Sequence, residues 1–342
     1  MINTVYELIT DVMAKQYPDR VAFRYVAADG KTVVEKTYAQ YVQDIRRAVT
    51  YFKENIPDIK GKRVGIMSRN CYEYGVNSFG AILAGAVVVT INQKKTWPEL
   101  EYELGLVEPS LIVNDGIDYG CRPDIEAAYG DKLRPMDAFK DSAPAELVDC
   151  VGHDDLMVLM FTSGSSGEPK GVPLTHHNLL SNISQCSSRI TLEPQNRFLG
   201  SLPVFHCFGI TIGLWYPMIG GYDMVTYPSP LEAKRLGTLI KQYGISLVVT
   251  TPTFLRGFMC DFIEKFAPHL TREVMAKAIA CLPSRSRSAA LICSTFMPFS
   301  CQTDISAIVI NTAAVATPTR THAHQALISS SGPGPWPTGT AP

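Results

Sequence analysis

Three short stretches constrain this chain more than any other feature: Val64–Met67, Ala86–Ile91 and the apolar centre of Ser110–Asp115. Each is a nearly continuous apolar run, too short for a core helix, and fits a strand buried on both faces. Helical patterns lie between them. One runs from about Glu73 to Gly85. The next starts at Thr96, an N-cap with Pro98 in the first turn and Glu99 three residues on. Strands that alternate with helices predict a parallel sheet covered on both sides, so the chain reads as α/β. Gly80 and Gly85 are expected to let helix and strand approach closely.

The flanking segments fit that frame. Val5, Leu8, Ile9, Val12 and Met13 recur at helical spacing over residues 3–16. Val21–Val26 and Thr32–Thr37 read as a hairpin about Asp29-Gly30. Thr37 caps a helix with Tyr41, Ile45, Val49 and Phe52 on its apolar face. Residues 116–150 are more polar and read as a connection with short elements. Leu247–Leu255 begins as a strand.

A further apolar run, Leu156–Phe161, feeds directly into Thr162-Ser163-Gly164-Ser165-Ser166-Gly167-Glu168-Pro169-Lys170-Gly171. Glycine lets the backbone bend and approach a ligand. Successive backbone N–H groups in such a loop form a concave anion site, the hydroxyls add donors, and Lys170 adds positive charge. The physical reading is a loop that cradles a polyphosphate; the alternative is a Gly/Ser-rich surface turn. A Walker A loop is excluded, because Glu168 rather than lysine follows Gly167. A G-x-S-x-G nucleophile elbow also fails, since Gly164-Ser165-Ser166-Gly167 is one residue short.

Composition removes other classes. The 342 residues are 46% hydrophobic and 18% charged, with a formal net charge of -1. No basic excess exists to neutralise nucleic-acid phosphates. The nine cysteines show no C-x-x-C and no zinc spacing, which predicts reduced thiols and a cytoplasmic location. No secretory signal is seen at the N-terminus. Phe205–Val225 carries a single charge, Asp223, but Gly209, Gly213, Pro217, Gly220 and Gly221 break it, so it reads as a buried helix, a turn and a strand rather than a membrane span. His176 and His177 are adjacent and face different ways on a helix, so they form no pair; they read as polar residues at a helix start that Thr175 caps.

The order T-S-G-S-S-G-x-P-K-G resembles the signature loop of the adenylate-forming superfamily, which includes acyl-CoA synthetases, luciferases and peptide-synthetase adenylation domains. Val64–Asn92 is similar to its early sheet-and-helix unit. Leu202-Pro203-Val204-Phe205-His206-Cys207-Phe208-Gly209 resembles its L-P-x-F-H-x-x-G motif. With Tyr227–Lys234 and Leu247–Leu255, these segments look closest to long-chain acyl-[acyl-carrier-protein] and acyl-CoA synthetases. The resemblance implies ATP and Mg²⁺, activation of a fatty or other carboxylate, and transfer to CoA or acyl carrier protein, with peripheral membrane contact and no nucleic acid. Carried over residue by residue, it assigns Thr162 and Lys170 to catalysis, Thr162 also to the metal, and Thr162, Ser163, Gly164, Ser165, Ser166, Gly167 and Lys170 to the nucleotide phosphates. It assigns His206, Phe208, Gly209, Thr251, Pro252 and Thr253 to the acyl pocket.

That resemblance covers roughly residues 1–275. It implies a partial AMP-binding domain over residues 1–276, an incomplete version of the family's large N-terminal α/β domain. Residues 277–342 hold one acidic residue, Asp304, and read as a disordered low-complexity tail, out of frame with the family; Ile305–Ile310 is the one strand candidate there. No counterpart is found of the G-A-E, Y-G-x-T-E and T-G-D segments that serve adenine, magnesium and ribose. The expected activity is therefore an impaired acid–thiol ligase. The rival is a non-catalytic acyl-lipid-binding or interaction fragment.

Overall fold

A computed structural model describes residues 2–26, 32–162, 169–187, 194–251, Phe254 and the backbone of 308–311. The strands are β1 (Val21–Val26), β2 (Val33–Thr37), β3 (Arg63–Met67), β4 (Val87–Thr90), β5 (Leu111–Asn114), β6 (Leu133–Pro135), β7 (Leu156–Thr162), β8 (Lys170–Thr175), β9 (Arg197–Gly200), β10 (Asp223–Thr226), β11 (Leu247–Thr250) and β12 (Ile308–Asn311). The principal helices are α1 (Val5–Glu7, prolonged by Leu8–Met13), α2 (Tyr38–Asn55), α3 (Tyr72–Leu83), α4 (Trp97–Val107), α5 (Arg122–Tyr129), α6 (His176–Ser187), α7 (Cys207–Ile210), α8 (Tyr216–Gly220) and α9 (Ala233–Tyr243).

They form two six-stranded sheets, ordered β12-β11-β9-β10-β1-β2 and β6-β5-β3-β4-β7-β8. Each has a parallel core; the first sheet has an antiparallel strand at both edges, the second only at β8. β11, β9, β10 and β1 run parallel, as do β6, β5, β3, β4 and β7. β2, β8 and β12 pair antiparallel at edges. The strand at Ile308–Asn311 overlaps the candidate run Ile305–Ile310.

Side-chain alternation explains the layers. Val88 of β4, Val113 of β5, Phe198 of β9, Met224 of β10 and Val249 of β11 point into one central core. Their neighbours point outward: Leu199, Val225 and Val248 pack under α9, while Val89 and Ile112 pack under α4 and α5. α3 lies between the sheets and is buried all round except at Glu73, as its apolar sequence demands. The order of layers is helix, sheet, helix, sheet, helix.

The expected caps are present. Thr37 and Gln40 form a capping box on α2, and Thr96 and Glu99 form one on α4. Gly80 serves a different contact from the one expected. A Cβ there would overlap Ala48, so it lets α3 approach α2, helix against helix. Gly85 has φ +99°, and its turn into β4 favours glycine. Phe205–Val225 is split among α7, α8, a π-helical turn and β10. No helix among the described residues is long and apolar enough to cross a membrane. Cys71, Cys121 and Cys150 are free thiols.

Candidate functional site

β7 leaves the parallel core and returns as β8, with Thr162 directly opposite Lys170 in the antiparallel register. The Gly/Ser-rich loop is thus a hairpin connection whose mouth carries one hydroxyl and one ammonium. Thr162 is half-buried and Lys170 is exposed. Ser163, Gly164, Ser165, Ser166 and Gly167 lie outside the described residues. A cation and a hydroxyl at the mouth of a hairpin fit an anionic ligand such as a phosphate chain. For a metal the fit is narrower. Among the described residues no group of three or more His, Cys, Asp or Glu is placed to hold one; the Thr162 hydroxyl is assigned to a metal by the resemblance alone.

The base of the hairpin is tied down locally. Asn178 N–H donates to the Thr175 hydroxyl at 3.2 Å, and Thr175 N–H donates to Asn178 Oδ1 at 3.0 Å, which caps α6 from both sides. The next residue departs from its sequence reading as a polar helix start. His176 is fully buried, and its Nδ1 accepts the Val5 N–H at 3.2 Å, so it caps α1 from 171 residues away. Its Nε2 is buried without a partner. Burial holds the ring well below the usual histidine range, at about 4, despite the nearby Asp155 and Asp149 carboxylates. His177 faces the other way and packs against the His153 ring, tilted by 44° with centroids 4.2 Å apart, so His176 and His177 form no pair.

The second arm follows β9. Asn70, just past β3, holds that arm in place. Its Nδ2 donates to Gly200 O at 3.2 Å and Leu202 O at 2.7 Å, and its Oδ1 accepts Val204 N–H at 3.0 Å. These bonds bring the carboxyl ends of the two sheets together, where α/β folds bind ligands. Nothing in the sequence reading singled out Asn70. A polar amide immediately beyond the end of a buried parallel strand was the available signal.

Beyond that bridge, His206 is the N-cap of α7; its Nδ1 accepts the Phe208 N–H at 3.2 Å. The neutral ring therefore carries its proton on Nε2. The residue is exposed, yet desolvation by the surrounding protein lowers its pKa. Phe208 is buried in the central core. Gly209 lies against the Pro203 carbonyl so closely that any Cβ would collide with the backbone. Thr251 follows β11 and is half-buried, its Oγ1 3.5 Å from the Phe254 N–H. Pro252 and Thr253 lie outside the described residues. Thr162, the His206 segment and Thr251 thus lie at or just past the carboxyl ends of parallel strands, β7, β9 and β11.

Known proteins are similar to this chain in sequence and in fold. The family model of AMP-binding enzymes matches residues 11–319. The long-chain-fatty-acid–CoA ligase of Bacillus subtilis (strain 168) is 26% identical over 300 residues, covering 75% of this chain and 52% of that protein. The long-chain-fatty-acid–CoA ligase FadD13 of Mycobacterium tuberculosis is 30% identical over 255 residues, covering 69% and 49%. The chain spans about half the length of the curated relatives it matches. In fold, it superposes on the inhibitor-bound N-terminal domain of FACL13 from Mycobacterium tuberculosis with a TM-score of 0.67 at 25% identity, covering 75% of this chain and 65% of that one. ATP-bound MatB from Rhodopseudomonas palustris gives a TM-score of 0.66 at 23% identity, covering 81% and 53%. With the family model matched over most of its length and the fold of an N-terminal adenylate-forming domain, this chain belongs to the AMP-binding enzymes.

Proposed function

We propose that the chain is an acid–thiol ligase unit that binds ATP through the β7–β8 hairpin to activate a carboxylate, a long-chain fatty acid in the first instance. The observation that supports this reading is the pairing of Thr162 with Lys170 at the mouth of the loop. A carboxylate oxygen attacks the α-phosphorus, the bond to the bridging oxygen breaks, and pyrophosphate leaves. A thiol, that of CoA or of acyl carrier protein, then attacks the acyl carbon and expels AMP. Lys170 stabilises charge on the departing pyrophosphate, and the hydroxyls and backbone N–H groups of residues 162–167 orient it. Mg²⁺, when bound, neutralises phosphate charge, with the Thr162 hydroxyl as its protein oxygen. The uncharged His206 ring and Gly209, with Thr251, Pro252 and Thr253, flank the acyl chain. A neutral imidazole suits an apolar ligand better than a charged one.

The 342 residues lack the adenine, ribose and magnesium segments of the family, so phosphate binding is expected to outlast turnover. The test is fatty-acid-dependent pyrophosphate release by the purified chain, with Lys170→Ala beside it. Weak release that Lys170→Ala abolishes supports the ligase reading. Fatty-acid binding with no release and no ATP affinity supports a non-catalytic acyl-binding role instead. Robust turnover refutes the impairment.

A further inference from the structure

The Asn70 bridge divides the carboxyl ends of the two sheets into halves. β4, β7 and β8 lie on one side of β3, and β11 lies on the corresponding side of β9; that half carries the hairpin and Thr251. On the other side are β5 and β6 of one sheet and β10 and β1 of the other. A cleft of about 750 Å³ opens there, lined among others by Val26, Asn114, Arg134, Thr226 and Arg235. Its volume is in the range of small-molecule sites. Among the described residues, none of those assigned to ATP or the acyl chain lines it.

Its charges are unevenly matched. Arg69 faces Asp115 at 3.6 Å, Arg122 meets Glu126 at 2.7 Å, and Lys140 lies 3.5 Å from Asp137 and 3.6 Å from Glu73. Two cations remain. Arg134, on β6, is oriented by its own backbone, with NH1 donating to Asp131 O at 2.8 Å and Leu133 O at 2.7 Å. Arg235, on α9, comes from the other sheet's layer. Among the described residues, neither has a carboxylate within salt-bridge distance. Arg235 is hydrogen-bonded to Tyr227, whose hydroxyl donates to Glu232 at 2.6 Å, yet the five cations and three carboxylates of the lining leave the cleft with a surplus of two positive charges that an anion would offset. A guanidinium fork matches phosphate oxygens in shape as well as charge.

We propose that this cleft is a second anion site, distinct from the signature hairpin, which takes a compact phosphate-bearing molecule with Arg134 and Arg235 gripping it from opposite layers. The proposal does not rest on the ligase reading. Inorganic pyrophosphate is the probe, titrated calorimetrically into the 342-residue chain. Made in a chain that already carries Lys170→Ala, which removes the hairpin's contribution, Arg134→Gln and Arg235→Gln should each weaken the remaining pyrophosphate binding at least tenfold. No binding to the native chain would overturn the proposal. So would binding that Lys170→Ala alone abolishes, or remaining binding that the two arginine variants leave intact. A second measurement needs no variant: pyrophosphate should protect Arg134 and Arg235 of the native chain from phenylglyoxal, read by peptide mass. Equal modification with and without pyrophosphate would also overturn it.

Discussion

Lowering the pH from 7 to 5 should remove about 2 kcal/mol of stability through one side chain, His176. The ring is fully buried between α6 and the start of α1, where it accepts the Val5 N–H. Burial lowers its folded pKa from the ordinary 6.5 to about 4. The unfolded chain therefore binds the proton more tightly. The contribution is fully present above the unfolded value and is lost as pH falls from there towards the folded value. At about 1.4 kcal/mol per pH unit the full loss is about 3 kcal/mol, of which about 2 kcal/mol has gone by pH 5. Asp155, Asp149 and His153 sit near the ring, and other carboxylates titrate as well, so the total pH dependence alone is not diagnostic. The comparison is with His176→Asn, which keeps an acceptor for Val5 and does not titrate. Urea unfolding at pH 7 and pH 5 should show the gap between native and variant stability narrowing by about 2 kcal/mol. A gap that stays constant with pH would refute the reasoning.

Three substitutions test the packing that positions the site. Asn70→Ala removes three hydrogen bonds between the sheets and takes their partner from the buried Leu202 carbonyl and Val204 N–H, while the Gly200 carbonyl keeps Tyr227 N–H; a loss of about 3 kcal/mol in urea unfolding is expected. Gly209→Ala drives a Cβ into the Pro203 carbonyl, so thermal denaturation should show a fall in Tm of several degrees, together with weaker fatty-acid binding. Gly80→Ala pushes α3 away from Ala48 of α2 and should cost about 1–3 kcal/mol in urea unfolding, with ATP affinity unchanged.

Local chemistry was the legible part of this fold. The apolar runs that became β3, β4, β5 and β7 carry their own period, and the capping boxes at Thr37 and Thr96 lie within four residues of chain. The signature loop was legible because glycines, hydroxyls and lysine sit in one continuous stretch. Long-range pairing was not. β1 lies beside β10, about 200 residues later, and nothing in Val21–Val26 names that partner. His176 looked like a polar helix start because its Val5 contact spans 171 residues. Gly80 gave no sign of whether it faced a helix or a strand. Arg134 and Arg235 come together only once two sheets stack, so their shared cleft has no sequence signal at all.

The central claim is that the β7–β8 hairpin holds the phosphates of ATP. The most direct measurement is the equilibrium affinity of the 342-residue chain for ATP, against Lys170→Ala matched for thermal stability. Loss of a charge-assisted contact of about 1.5–3 kcal/mol predicts a weakening of about tenfold or more. Equal affinity in a folded Lys170→Ala variant, or no ATP binding by the native chain, would contradict the account.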